Sequence, residues 1–387
     1  MTLTRLLVFL GIVVGVLFLI HFYIWRRVVV PAALPMPWNR VATVALFTLM
    51  AVIPLMFLTL RSAPNWFAVP VAWIAYVWIG LMFYLFVFGL AGDLLRGSAW
   101  LTGLMPRDPE RRSFALRLLA GGVASAAALT GIGGILHAAR GPKVKRVEVP
   151  LAKLPAGGDG YVIAQLTDIH IGPTLGHDFL ETVVRETNAL GADMIVITGD
   201  LVDGSVEQLR EKVAPLADLR ARDGVFFITG NHEYYSGAAE WCAHLGTLGV
   251  RVLRNEHVDV RGLFDLAGVD DRSAEGMALG HKQDIPAATA GRDTSKPLVL
   301  LAHQPKAIAE AAAHGTDLML SGHVHGGQIM PFNWLTKLDQ PYVQGLYRHA
   351  DKTWIYVSPG TGYWGPPMRV GTTSEITRIT LRAEPRG

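Results

Sequence analysis

The sequence predicts an α/β fold, a layered sandwich of two mixed sheets, preceded by an N-terminal transmembrane helical bundle. Three observations predict it. Long uncharged stretches fill the first third of the chain, strand and helix signals alternate from Tyr161 onward, and strand signals then crowd together. Composition agrees. With 51% hydrophobic residues and a net charge of +3, the 387-residue chain suits membrane segments joined to a soluble domain, and nothing in that charge argues for nucleic-acid binding.

The apolar stretches are residues 6–25, 41–60, 62–92 and 118–139. A bilayer core of ~30 Å takes about 20 apolar residues in a helix, so the first three qualify directly. The fourth is richer in Gly and Ala, small residues that let helices pack closely. Residues 6–25 lack the small-residue cleavage site of a signal peptide. Trp25, Trp38, Trp66 and Trp100, near span ends, suit the interfacial aromatic belt, and His21 and His137 read as interfacial too. No span carries a central charge, since Asp93 and Arg96 fall past the third, which disfavours a transporter.

With four spans, Arg26, Arg27 and Arg40 share a side with Arg96, Arg107, Arg111 and Arg112. The positive-inside rule makes that side cytoplasmic and the following domain extracytoplasmic. Arg111-Arg112-Ser113-Phe114 resembles a twin-arginine export signal, although it sits internally; read as a helix anchor, the pair gives the same topology. The expectation is a multi-pass protein of the plasma or inner membrane, with an anchor over 1–140, a linker over 141–160 and a domain over 161–387. Pro142, Pro150, Pro155 and Gly157-Gly158, set among charges, give the linker reading.

In the domain, a strand at Val162–Leu166 leads to a helix near 178–190, one at 194–198 to a helix near 206–219, and one at 225–229 to a helix near 238–248. Short strands follow at 250–253, 258–260 and 263–268. Then come 298–302, a helix near 306–313, and strands at 318–320, 354–357 and 376–381.

Five polar blocks close these runs: Asp168-Ile169-His170, Gly199-Asp200, Gly230-Asn231-His232-Glu233, His303 and Gly322-His323-Val324-His325. Open α/β sheets place their sites at such strand ends. Asp168 and His170 leave a strand two residues apart, a spacing that shares one face, and His323 and His325 repeat it. Gly199 clears space beside Asp200, His303 adds an imidazole and Asn231 an amide oxygen. Mixed oxygen and imidazole donors around a carboxylate able to bridge are what a pair of cations needs to bind a phosphate ester. Asp, Asn and His suit Mn, Fe or Zn. A single Asp-x-His is often structural; five such blocks, each ending an apolar run, argue for a two-metal phosphoesterase centre.

Other chemistries fail on particular residues. Cys242 is the only cysteine, so an intramolecular disulfide and a thiolate metal cluster are excluded. His232-Glu233-Tyr234-Tyr235-Ser236 lacks the second histidine of a zinc-protease helix. Gly360-Thr361-Gly362-Tyr363-Trp364-Gly365 fits a dinucleotide fingerprint by letter, but Pro366-Pro367 cannot continue the helix that site requires.

The blocks, complete and in order, resemble the calcineurin-like metallophosphoesterase family over roughly residues 161–381. The stretch Ser358-Pro359-Gly360-Thr361-Gly362-Tyr363-Trp364-Gly365-Pro366-Pro367 resembles its membrane-anchored bacterial branch. The resemblance implies a four-layer α/β/β/α sandwich and two divalent metal ions. One would be held by Asp168, His170, Asp200 and His325, the other by Asp200, Asn231, His303 and His323. It also implies in-line attack by a metal-bridging hydroxide, with His232 a non-ligand histidine near the leaving group. Glu233, where the family more usually has Asp, stands as a supporting group that orients His232 or a ligand, and Asp203 reads either as a second such group or as a solvated loop carboxylate. Tyr234, Tyr235, Trp334, Tyr363 and Trp364 fall near the motifs and read first as packing; lining a pocket mouth instead, they would suit a lipid-linked phosphoester or pyrophosphate. The competing reading, a membrane sensor or scaffold with a non-catalytic phosphoesterase-like domain, would predict a lost ligand, and none is missing.

Overall fold

Out of water, a long apolar run satisfies its backbone most simply by closing each N–H onto the carbonyl four residues back. In the computed structural model, which describes residues 3–277 and 280–384, these runs form four helices: α1 (Leu3–Ile24), α2 (Trp38–Ser62), α3 (Asn65–Leu101) and α4 (Pro109–Ala138). The ends of the expected domains, at 1–2 and 385–387, lie outside the described residues. All four helices are long and apolar enough to cross a membrane.

His21 is not interfacial. It is fully buried, accepting at Nε2 from Trp78 Nε1 (3.0 Å) and donating from Nδ1 to the Leu17 carbonyl (2.7 Å). With both ring nitrogens paired, a neutral imidazole is cheap to bury. Asp93 is tied as fully, accepting from Tyr23 Oη (2.9 Å) and pairing with Arg27 and Arg96, each at 3.0 Å. The helices together with Gly365–Met368 form one compact unit, and the α/β part forms the other.

Two six-stranded sheets make up the second unit. The first runs in the order β1 (Lys143–Leu151), β12 (Glu375–Ala383), β2 (Val162–Leu166), β3 (Met194–Ile197), β4 (Val225–Phe227) and β5 (Arg251–Val252). In the second the order is β10 (Gly345–His349), β11 (Thr353–Val357), β9 (Leu318–Ser321), β8 (Leu298–Leu301), β7 (Phe264–Gly268) and β6 (Glu256–Val260). Strands β2 to β5 pair in parallel, as do β7, β8, β9 and β11, whereas β12, β6 and β10 run antiparallel to β2, β7 and β11. Both sheets are therefore mixed.

Strands buried on both faces read as continuous apolar runs, and the pleat sends alternate residues to opposite layers. In β2, Ala164 and Leu166 pack on helices α5 (His177–Asn188), α6 (Val206–Val213) and α8 (Ala238–Thr247) through Leu180, Leu209 and Trp241. On the opposite face of the same strand, Ile163 packs toward the second sheet with Val299, Leu318 and Tyr356. The far face of that second sheet meets α9 (Ile308–Ala313) and the short helix Ile285–Thr289 through Leu300, Met319, Ile308 and Ala288. The layers are α/β/β/α. Two further helices, α7 (Asn231–Ser236) and α10 (Phe332–Asp339), lie next to the strand-end loops.

Packing between the sheets leaves no room at Gly268, where a Cβ would fall 2.5 Å from Leu253 Cβ and 2.7 Å from Ile228 Cγ2. Gly268→Ala should destabilise the α/β unit by about 1–3 kcal/mol, which lowers its melting temperature by about 2–4 °C per kcal/mol. Thermal melts of the detergent-solubilised chain test this, and an unchanged midpoint would contradict the inter-sheet contact.

The stretch expected to be a linker carries β1 instead, nine residues paired parallel with β12 from Lys143–Glu375 to Leu151–Ala383. Val149 and Leu151 point into the core while Lys143–Arg146 stay exposed. Pro150 is tolerated because β1 is an edge strand, in which alternate N–H groups face away from the ladder.

Candidate metal centre

The parallel strands deliver their C-terminal ends to one rim, and the chain kinks as it leaves each. Asp168 (φ 50°), His170 (54°), Asp200 (52°), His323 (73°) and His325 (50°) are all left-handed. A non-glycine residue held there costs of order 1–3 kcal/mol, and such strain gathers at functional sites. The i, i+2 sharing of a strand face is therefore not what aims these side chains, because β2 ends at Leu166 and β9 at Ser321. Neighbouring loops brace the kinks instead. Asp168 N donates to Gly199 O (3.0 Å), His170 N to Asp200 O (3.1 Å) and Gly362 N to Asp168 O (3.0 Å).

All seven expected ligands come together, and they form two clusters. In one, His170 Nε2 and His325 Nε2 approach to 3.0 Å and His325 Nε2 lies 3.4 Å from Asp168 Oδ1. In the other, His303 Nε2 lies 3.1 Å from Asp200 Oδ2 and 3.2 Å from Asn231 Oδ1, and His323 joins the same group. Asp200 Oδ2 also stands 3.9 Å from His170 Nε2, so one carboxylate reaches both clusters.

Four observations fit cations at these positions. Nitrogens coordinated at roughly 2.0–2.1 Å from a shared metal stand about 3 Å apart, as those of His170 and His325 do. His303 Nδ1 donates to Thr198 O (2.8 Å), which in the neutral ring turns the Nε2 lone pair toward two oxygens. His323 Nδ1 is buried with no hydrogen-bond partner. Finally, glycines keep the cradle open. A Cβ on Gly322 would collide with the Asp168 carboxylate, one on Gly230 with that of Asp200, and one on Gly199 with His303 Nδ1 at 2.7 Å.

Behind the ligands, Asp203 Oδ1 accepts from His170 Nδ1 (3.2 Å) and His232 Nδ1 (2.6 Å), which leaves His170 Nε2 free to coordinate. Burial alone would raise the Asp203 carboxyl, but the two imidazoles outweigh it and hold it down to about 2. For His232, burial disfavours the proton, yet Asp200, Asp203 and Glu233 together push its pKa up to about 9. Glu233 does not touch the His232 ring. Its carboxylate accepts from Gly230 N (2.6 Å), Leu201 N (2.8 Å) and Asp200 N (3.0 Å), pinning the loop that carries Asp200 to the start of α7. Burial first, and then the Asp200 charge, raise Glu233 to about 7.

Of the aromatic residues near the motifs, Tyr235 and Trp364 lie against His232, with ring centroids 5.3 and 5.4 Å away. Tyr234 and Tyr363 are buried packing, and Trp334 stands exposed on α10. Sequence reasoning missed Arg369. Its buried guanidinium donates from Nη1 to His325 O (3.0 Å) and from Nη2 to Gly362 O (2.6 Å), clamping the His325 loop to the 358–372 segment. No motif marks it; its one signal is its place just after the glycine- and proline-rich stretch.

Residues 161–327 match the family model described as calcineurin-like phosphoesterase. The chain is similar to a transmembrane protein with metallophosphoesterase domain from Danio rerio, 35% identical over 97% of this chain and 89% of that one. A protein of the same description from Bos taurus is 44% identical over 65% of this chain and 60% of its own length. An uncharacterized metallophosphoesterase of Helicobacter pylori is 44% identical over 62% of this chain and 64% of its own.

Proposed function

This chain belongs to the calcineurin-like phosphoesterase family, and from that premise we propose that it is a membrane-anchored phosphoesterase working with two divalent cations, Mn, Fe or Zn. One observation carries the reading: the Asp200 carboxylate lies within reach of both donor clusters, 3.1 Å from His303 and 3.9 Å from His170. Asp168, His170, Asp200 and His325 would hold one cation, and Asp200, Asn231, His303 and His323 the other. Bound there, the cations would neutralise the phosphate and supply hydroxide near neutral pH.

The chain's own residues do the rest. Asp203 fixes the His170 ring through Nδ1, and Glu233 holds the Asp200 loop through three backbone N–H groups. With Nδ1 of His232 tied to Asp203, Nε2 is the nitrogen left to give a proton to the departing oxygen. His232→Gln should therefore lower kcat by about 10²–10⁴-fold while bound metal stays unchanged. A variant of full activity would remove His232 from the reaction.

As substrate we propose a phosphoester or pyrophosphate linked to a lipid. Four helices able to cross a membrane and two exposed aromatic rings beside His232 support this. Turnover of lipid-linked and small soluble esters by the purified chain decides it, and a clear preference for the soluble esters sinks it. The arginine distribution supports an extracytoplasmic catalytic domain on a multi-pass anchor; a C-terminal reporter that is active only in the cytoplasm would overturn that placement.

A further inference from the structure

Helix α10 is seated against the ligand loop and turns apolar side chains to solvent. Gly327, two residues past His325 and left-handed at φ 82°, lies so close to Asn333 that no Cβ fits between them. On the helix, Trp334, Leu335 and Leu338 are 65%, 57% and 84% exposed. At about 100° per residue they fall within one arc of about 100°. Trp364, also exposed, is joined to the same ligand loop by a pair of bonds with Gln328 at 2.8 and 3.0 Å. Tyr235, also exposed, stands across the His232 ring from it.

We propose that α10, with Trp364 and Tyr235 beside it, is a lipid-docking face that dips into the interfacial zone of the bilayer next to the metal centre. The chain itself argues for this occupant over a protein partner. Its four apolar helices are long enough to cross a membrane, so a bilayer is already tethered to the domain in cis. Trp and Leu on one side of a short helix are residues of the headgroup–acyl boundary, and the exposed Lys337 on the flank can extend its ammonium to the headgroups while its stem stays apolar. Contiguous exposed apolar surface of this kind marks an interaction site.

The test uses the full chain in phosphatidylcholine–phosphatidylglycerol liposomes with Cys242→Ser removing the single native thiol. Leu335→Cys and Leu338→Cys carry an environment-sensitive fluorophore in separate proteins, so that a misfolded variant at one position leaves the other readable. Arg210→Cys, exposed on α6, is the reference. If α10 lies ~5–10 Å into the headgroup–acyl boundary, nitroxide-labelled lipid should quench both labels at least about twofold more than the reference, and iodide should quench them less. Labels at 335 and 338 that iodide reaches as readily as the reference overturn the proposal. So do labels shielded from both quenchers, which would mean a protein surface covers the face. Neither readout involves turnover, so the proposal and the phosphoesterase reading fail separately.

Discussion

Replacing Asp200 with Asn is expected to lower phosphoester turnover by about 10³-fold or more, because a catalytic cation supplies several kcal/mol of charge stabilisation and each 1.36 kcal/mol is tenfold. Both oxygens of Asp200 are committed. Oδ2 faces His303 and His170, and Oδ1 accepts the backbone N–H of His232 at 2.8 Å. An amide keeps one acceptor but turns an N–H₂ toward whichever partner the other oxygen served, and it removes the one negative charge shared by the two clusters. Elemental analysis of the purified chain, run beside turnover, should find less than the full metal complement. The comparison is Asp203→Asn, which touches only the rear nitrogens of His170 and His232; groups in that position are worth about 10–100-fold. Should Asp200→Asn retain all its metal and stay within tenfold of the parent, the shared carboxylate is not the centre of the site.

A single methyl group should do nearly as much damage. Gly230 carries an ordinary φ of −101°, so its backbone could accept any residue. What excludes a side chain is space, since a Cβ there would drive into the Asp200 carboxylate and its backbone nitrogen. Neither neighbour can retreat. Asp200 N is bonded to Glu233, and Gly230 N is bonded to the same carboxylate at 2.6 Å. Gly230→Ala must therefore displace Asp200, and misplacement of a reacting group by about 1 Å can cost 10²-fold. The chain should still fold, as judged by circular dichroism, while metal content and turnover fall together. Full turnover would mean that the loop has slack which its hydrogen bonds do not reveal.

Much of the α/β unit was legible because its strands are buried on both faces. Val162–Leu166 is apolar but for Gln165 and forms a strand with those limits, and the apolar run 318–320 forms one that extends a single residue further, to Ser321. The polar blocks could be read as a site for the same reason: a strand core stops where Asp, Asn and His begin. Local backbone geometry was not legible. Nothing in Asp168-Ile169-His170 announces that both polar residues are left-handed, because that conformation is imposed by loops from elsewhere in the chain. Strand β1 was hidden by Pro150 and by its four exposed leading residues, and it exists only because β12, more than two hundred residues later, offers it a ladder. Asp203 could be placed near the site but not in its double bond to His170 and His232, which depends on two loops meeting. For His21, nearness to a span end suggested an interfacial ring. The decisive fact was a Trp78 indole on another helix, and spacing within one helix carries no such information.

Strand β12 is inserted between β1 and β2, so the ribosome completes the first sheet last. Once His325 has been translated every candidate ligand exists, yet β1 has no neighbour and β2 still shows a bare edge. The roughly sixty residues from there to the end of β12 at Ala383 take on the order of 3–12 seconds at usual elongation rates, and unpaired edges are where nascent chains stick to one another or to chaperones. A stop codon as late as position 375 would thus yield a polypeptide with an intact set of donor residues and no closed sheet to hold them. Nonsense variants just ahead of β12 should be degraded as thoroughly as those in the middle of the α/β unit.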